Sequence, residues 1–192
     1  MPLLMPVILG SVRSERQGLK AARFIIRHLE GRGLEAPLVD PLELKLPLLD
    51  RMYKEFPKGE APAVLERLAA IFRKADAFVV VSAEYNHSIP PGLSNTLDHF
   101  LEEYFWRPSA IVCYSGGRFG GVRAAMQLRA MLCELGMPSI PSLLSIPEIG
   151  RALSEDGHSD LPWLEKSAGR FIDELVWYAY ALQRQRTEGT PY

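Results

Sequence analysis

Hydrophobicity along this chain alternates between two periods, and that alternation limits the fold more than any single residue does. Short runs of consecutive apolar residues are separated by longer stretches whose apolar residues return every three or four positions. The runs fall at about 3–9, Ala36–Asp40, Ala77–Ser82, Ala110–Tyr114 and Met137–Pro147. The helical stretches fall at about 17–31, about 61–75, Pro91 to about Tyr104, near Gly121 to Gly136, and about 161–185. A strand that is apolar on both faces belongs inside a parallel sheet, with the intervening helices as its crossovers. The pattern therefore predicts an α/β fold: a five-stranded parallel sheet, doubly wound, in the order 2-1-3-4-5. That order sets the C-terminal ends of strands one, three and four side by side. The switch point lies between strands one and three, where open sheets bind ligands.

The chain reads as one domain over its 192 residues, with the polar stretch 186–192 expected to fray. A formal net charge of −1 argues against a nucleic-acid or acidic-membrane binder. No apolar stretch approaches the roughly 18–20 residues of a membrane span. Met1–Leu9 is interrupted by Pro2 and Pro6 and does not read as a leader, so the expected compartment is the cytoplasm. Cys113 and Cys133 lack metal-type spacing, and Cys113, in an apolar run, is expected to be buried.

Three loops follow the strands that meet at the switch point. The first, Gly10–Gly18, joins strand one to the first helix and carries two serines, a glutamine and two arginines. A helix start aims free N–H groups and positive potential at one place, and arginine and serine add donors suited to a phosphate. There is no G-x-G-x-x-G and no Walker A closure, so a terminal monophosphate fits better than a pyrophosphate. The second loop, Ala83–Gly92, is dense in hydrogen-bonding and stacking side chains. The third, Ser115–Gly121, has four glycines in seven residues, which lets backbone approach a flat ligand. The implied ligand carries a phosphate at one end and a planar, hydrogen-bonding ring at the other, a shape FMN has. The segment Pro41–Glu60 lacks regular periodicity and reads equally well as a functional loop or a plain surface excursion.

Gly10-Ser11-x-Arg13, Glu84-Tyr85-Asn86-His87-Ser88-Ile89-Pro90 with Leu93-x-Asn95-x-Leu97-Asp98, and Ser115-x-Gly117-x-x-Gly120-Gly121 resemble the NADPH-dependent FMN reductase family. Related quinone, azo-dye and chromate reductases belong with it. Leu46-Pro47-Leu48-Leu49-Asp50 is similar to that family's loop after strand two, and the resemblance extends over about 5–182. It implies a flavodoxin-like three-layer α/β/α fold, FMN as cofactor and NADPH or NADH as co-substrate. Carried over by position, Ser11, Arg13, Arg16, Gln17 and Gly18 would hold the phosphate. Glu84, Tyr85, Asn86, His87 and Ser88 would hold the ring and ribityl chain, with Ser115, Gly116 and Gly117 at the pyrimidine side. No catalytic triad is expected, because the hydride chemistry belongs to the flavin.

The resemblance also implies a homodimer or homotetramer acting on a small-molecule electron acceptor. The aromatic cluster Phe100, Tyr104, Phe105 and Trp106 fits either a subunit interface or core packing. The chain departs from the family pattern at Ala83, where proline is usual, at Ser94, where lysine is common, and at Arg51 and Met52, where acidic residues are usual. Arg118 or Arg123 is a candidate for attracting a 2′-phosphate. Two other readings compete: a flavin-binding electron carrier or redox-sensing partner, and an FMN-free domain binding another phosphate. Long-chain flavodoxin carriers are usually strongly acidic, which a net charge of −1 does not match.

Overall fold

The structure is a computed structural model describing residues 2–192. Five strands, β1 (Val7–Leu9), β2 (Leu38–Val39), β3 (Phe78–Ala83), β4 (Ser109–Tyr114) and β5 (Ser139–Ile146), form one parallel sheet in the order β2-β1-β3-β4-β5. This is the order expected from the alternation. The register pairs Ala83 with Tyr114, so β3 and β4 end level, while Leu9 pairs with Val81 and β1 ends two residues earlier.

Alternate side chains of each central strand divide between two cores. Val7, Leu9, Val79, Val81, Ala110 and Val112 face α1 (Gly18–Glu30) and α7 (Pro162–Glu188). Ile8, Phe78, Val80, Ile111 and Cys113 face α3 (Ala63–Lys74), α4 (Pro91–Asp98) and α5 (Val122–Glu134). Each large side chain buried this way contributes roughly 1.5–3 kcal/mol. Burial also pushes the Cys113 thiol up to about 12, so it is an inert core group. Among the described residues, no helix is long and apolar enough to cross a membrane.

Three boundaries differ from the sequence reading. First, α4 ends at Asp98 instead of continuing to about Tyr104. The His99 carbonyl is taken by the Tyr53 N–H at 2.7 Å, and a 3-10 turn follows at Glu102–Tyr104. That turn drives Phe100 and Tyr104 into the core, with ring centres 5.0 Å from Phe72 and 5.3 Å from Phe78, respectively. These two aromatics are therefore core residues, whereas Phe105 and Trp106 are half-buried.

Second, Pro41–Glu60 is not structureless. Asp40 accepts the Leu42 N–H at 3.1 Å and starts a one-turn helix, α2 (Pro41–Leu44), which Lys45 closes in the left-handed region. Third, α7 continues past 185 to Glu188, and Tyr192 packs its ring against Phe105 and Trp106. The extension has a cause at the N-terminal ends of the strands. Asp76 accepts the Leu4 N–H at 3.0 Å, Gln183 Nε2 at 2.8 Å and Arg186 Nη2 at 3.2 Å. Arg186 also donates to the Trp106 carbonyl, and Arg107 donates to the carbonyls of Arg73, Ala75 and Phe105. Burial with Arg186 nearby lowers Arg107 to about 10.

β5 carries an irregularity. Ser109 pairs with Ser139, but Ile111 pairs with Leu143, so Ile140–Ser142 bulge from the ladder. Arg129 of α5 collects the freed carbonyls of Ile140 and Pro141 at 2.8 and 2.7 Å. Glu174 of α7 accepts the Ser142 N–H at 3.4 Å.

Candidate active site

The three loops meet. Ser11, Arg13 and Gln17 of the first, Glu84 and Tyr85 of the second, and Ser115 and Gly116 of the third all line one crevice of about 340 Å³. That volume lies at the small end of ligand sites, which run from about 300 Å³ upward. A hollow of about 440 Å³ between Tyr53, Glu66 and Glu103 is larger. Its central groups bond one another, Tyr53 to Glu66 at 2.7 Å and Arg73 to Glu103 at 2.8 Å, so it presents fewer open donors.

The first loop is fixed from below. Buried Ser11 places its hydroxyl 2.6 Å from the Tyr85 hydroxyl, joining the first loop to the second. Arg16 does not offer the open fork expected of it. Its Nη1 donates to Asp40 Oδ1 at 2.7 Å and to the Ser11 carbonyl at 2.9 Å, and its Nη2 pairs with Asp40 Oδ2. Asp40 is buried beside the loop, and a buried guanidinium and carboxylate must pair. Arg16 thus curls the loop from its position in the crevice wall. Arg13 differs: it is exposed, lies 5.9 Å from the Tyr85 ring centre, and has no carboxylate partner among the described residues. Gln17 precedes α1 without capping it. Gly18 lets α1 start against β4, since a Cβ there would fall 2.4 Å from the Tyr114 hydroxyl. The positive end of α1 therefore opens on the same side as Arg13.

The second loop splits into two parts. The Glu84 carboxylate lines the crevice but accepts the N–H groups of Arg123 and Ala124 at 3.0 and 3.3 Å. It caps α5, whose preceding Gly121 has no side chain to do so. Tyr85 and Ser88 exchange backbone bonds at 3.1 and 2.9 Å across a tight turn. Asn86 and His87 occupy its corners with φ of 52° and 63°, the pattern of a type I′ turn. This tip leans away onto α5: Gln127 Nε2 donates to the His87 carbonyl, and Ser88 Oγ donates to Gln127 Oε1, both at 2.8 Å. Asn86, His87 and Ser88 therefore stand at the rim, and the crevice wall itself is made by Ala83, Glu84 and Tyr85.

The third loop holds two kinds of glycine. Gly120 and Gly121 have φ of 62° and 81°, and a Cβ at Gly120 would fall 2.0 Å from Ser145 Oγ. Backbone conformation and packing within the fold both require glycine there. Gly116 and Gly117 have no positive φ, and a Cβ on either would meet no atom within 4 Å. Nothing inside the fold demands glycine at these two positions. The peptide is nonetheless held still: the Gly117 carbonyl accepts from Ser115 Oγ at 2.7 Å and from the Glu148 N–H at 3.0 Å. An exposed, rigid, side-chain-free strip is what a flat ring approaching the backbone needs.

Sequence reasoning missed Glu15, Tyr114 and Ile149 in the wall and Asp40 behind it. Tyr114 was legible as the last residue of β4, at the switch-point edge; burial raises its hydroxyl above the usual tyrosine value. Ile149 arrives on a short helix, α6 (Ile149–Ala152), which nothing in the sequence pattern marked. The structure also links two of the quoted motifs. Asn95 Nδ2 donates to the Pro47 carbonyl and Asn95 Oδ1 accepts the Leu49 N–H, both at 2.8 Å. His99 Nε2 donates to the same carbonyl at 3.1 Å. The loop after β2 is therefore pinned to α4, which begins where the second crevice loop ends.

This donor set fits a monophosphate at Arg13 and the α1 terminus, and a planar ring over Gly116–Gly117. Comparison with known proteins identifies the family. The sequence pattern of the NADPH-dependent FMN reductase family matches residues 5–150, most of the chain. A quinone reductase of Pseudomonas putida is 33% identical over 138 residues, which are 69% of this chain and 70% of the relative. Among solved structures, a flavoenzyme NAD(P)H:acceptor oxidoreductase of Paracoccus denitrificans has a TM-score of 0.75 at 23% identity, covering 92% of this chain and 97% of that one. A mutant flavodoxin of Pseudomonas aeruginosa has a TM-score of 0.54 at 19% identity, covering 93% and 98%. These two establish the flavodoxin-like fold. The chain belongs to the NADPH-dependent FMN reductase family, oxidoreductases with FMN as cofactor and NAD(P)H as co-substrate.

Proposed function

We propose that this protein holds FMN in the three-loop crevice and uses NAD(P)H to reduce a quinone or another small oxidant. The observation that carries this reading is the meeting of uncommitted groups at one crevice: Arg13 without a carboxylate, and Gly116, where the open Gly116–Gly117 strip begins. Arg13, with the α1 terminus, would hold the phosphate. The hydroxyls of Ser11, Tyr85 and Tyr114 give the crevice its other donors, and the N–H groups of the Gly116–Gly117 strip would face the ring. Bound FMN supplies the two-electron chemistry, while the protein contributes placement and electrostatics. His87 and Glu84 are not needed as acid or base. His87 stands on the rim, and Glu84 is occupied at α5. The quinone reductase of Pseudomonas putida supports a quinone as acceptor.

We also propose that copies of this chain associate as a homodimer or homotetramer. Val12, Leu42 and Leu48 line one hollow and leave their aliphatic side chains exposed, Leu48 at 86%. Light scattering on the eluting protein gives the copy number.

The central test is anaerobic mixing of the FMN-loaded protein with NADPH. The expected result is loss of flavin absorbance within the mixing experiment and its return when a quinone is added. Unchanged absorbance, or a protein that takes up no FMN, rejects the reading.

A further inference from the structure

The crevice is flanked by two arginines that the fold leaves without a carboxylate, and the second of them is not needed for FMN. Arg13 stands on the first loop. Arg118 stands on the third, immediately after the rigid Ser115–Gly117 strip, and forms no salt bridge among the described residues. Next to it Phe119 is 54% exposed, a large aromatic ring that the Arg123 guanidinium covers in part and that otherwise faces solvent. Such a ring is ordinarily buried, because its area dominates the gain from burial.

Phe119 is held in place by the residues that follow it. Gly120 and Gly121 follow it in left-handed conformations that packing enforces. The Arg123 guanidinium lies 4.5 Å from the Phe119 ring centre and is itself held 3.6 Å from the Glu84 carboxylate, which lines the crevice. Glu84 thereby offsets the charge of Arg123. Arg118, 5.6 Å from the same ring centre, keeps its charge uncompensated. The arrangement is a fixed aromatic surface with a free guanidinium beside it, on the same loop as Ser115 and Gly116, which line the crevice. Arginine and an exposed aromatic together recognise a base and a phosphate.

We infer that Arg118 and Phe119 form the seat for the 2′-phosphoadenosine end of NADPH, with Arg123 as the residue that positions the Phe119 ring. The inference rests on the reductase reading above and deepens it by naming the co-substrate. Each phosphate-bearing ligand then has its own uncommitted arginine: Arg13 for the cofactor and Arg118 for the co-substrate. The seat discriminates NADPH from NADH, because only NADPH brings a charge to a cation that otherwise faces water.

The test uses FMN-loaded protein, so that the cofactor site is filled. Calorimetric titration with adenosine 2′,5′-bisphosphate and with adenosine 5′-monophosphate measures the contribution of the 2′-phosphate alone. The bisphosphate is expected to bind roughly tenfold or more tightly in the wild type, the size of one charged hydrogen bond. Arg118→Ala removes that difference, Arg118→Lys retains part of it, and Phe119→Ala weakens both nucleotides. Equal affinities in the wild type, or a difference that survives Arg118→Ala, overturn the seat. Rapid mixing separates this from the reading beneath it. If neither NADPH nor NADH bleaches the flavin, the reductase reading fails. If NADPH bleaches it and Arg118→Ala leaves the NADPH-to-NADH ratio unchanged, only the seat fails.

Discussion

The two ends of the sheet differ in what they leave free: the C-terminal end pairs Arg16 with Asp40 and Arg123 with Glu84, yet leaves other arginines without a carboxylate. At the N-terminal ends of the strands, Asp76 accepts from Leu4, Gln183 and Arg186, and Arg107 and Arg186 spend their donors on backbone carbonyls. At the C-terminal ends, Arg13 and Arg118 have no carboxylate partner among the described residues, and Gly116–Gly117 face open space. Both ends are rich in arginine, so residue type does not separate them. What separates them is commitment. A donor already bonded inside the fold stabilises the fold, and one left free beside a crevice is available to a ligand.

That contrast can be broken by substitution at either end. The largest effect is expected for Asp76→Ala, which strands the Arg186 guanidinium. Breaking such a partly buried pair from one side costs about 3–5 kcal/mol in urea unfolding. FMN affinity should not change, and a loss of affinity as large as the loss of stability would dissolve the distinction between the two ends.

Next come the glycines of the third loop. Gly120→Ala forces a side chain into the left-handed region and against Ser145, and the backbone strain alone costs about 1–3 kcal/mol. Gly116→Ala should leave thermal stability unaltered, because its Cβ meets nothing, yet weaken FMN binding in a fluorescence titration. If Gly116→Ala destabilised the apoprotein as Gly120→Ala does, the open strip would be an ordinary piece of packing.

Arg13→Ala is the mirror image of Asp76→Ala. Loss of one charged hydrogen bond to the phosphate predicts about 2 kcal/mol, roughly thirtyfold in FMN affinity, with unfolding unchanged. The smallest effect is a pH slope in the closed body. His28 lies 2.8 Å from Glu165, which favours its charged form, but burial outweighs this and lowers it below 6.5. The unfolded chain then binds the proton more readily. The contribution is fully present above 6.5 and is lost as pH falls through the lowered folded value. His28→Gln should flatten that part of the stability profile without altering cofactor affinity, as unfolding curves taken at stepped pH would reveal.

The architecture was legible because periodicity is a local property. Runs such as Phe78–Ser82 announce a central strand, and the stripe from Leu164 to Ala179 announces α7, whatever surrounds them. The site was legible at the level of loops and less so at the level of side chains. Arg13 and Arg16 are alike in sequence. Only the fold brings Asp40, from the end of β2, beside one of them. Glu84 is indistinguishable from its loop neighbours in sequence for the same reason, since the N–H groups it caps lie about 40 residues further along the chain. The end of α4 was missed because the Tyr53 N–H that draws off the His99 carbonyl belongs to a segment without periodicity. Each of these misses is a long-range partner choosing between residues that look equivalent nearby.

The bulge in β5 has a bearing on how such molecules behave in crowded solution. An open parallel sheet ends in two exposed ladders, and an exposed ladder invites a neighbouring chain to add a strand. Here Ile140–Ser142 depart from regular geometry, Pro141 brings no N–H, and Arg129 occupies the carbonyls that an incoming strand would seek. The opposite margin, β2, is only two residues long. Growth of a continuous intermolecular sheet is blocked at both borders, which leaves side-chain surfaces as the route by which copies can adhere without polymerising.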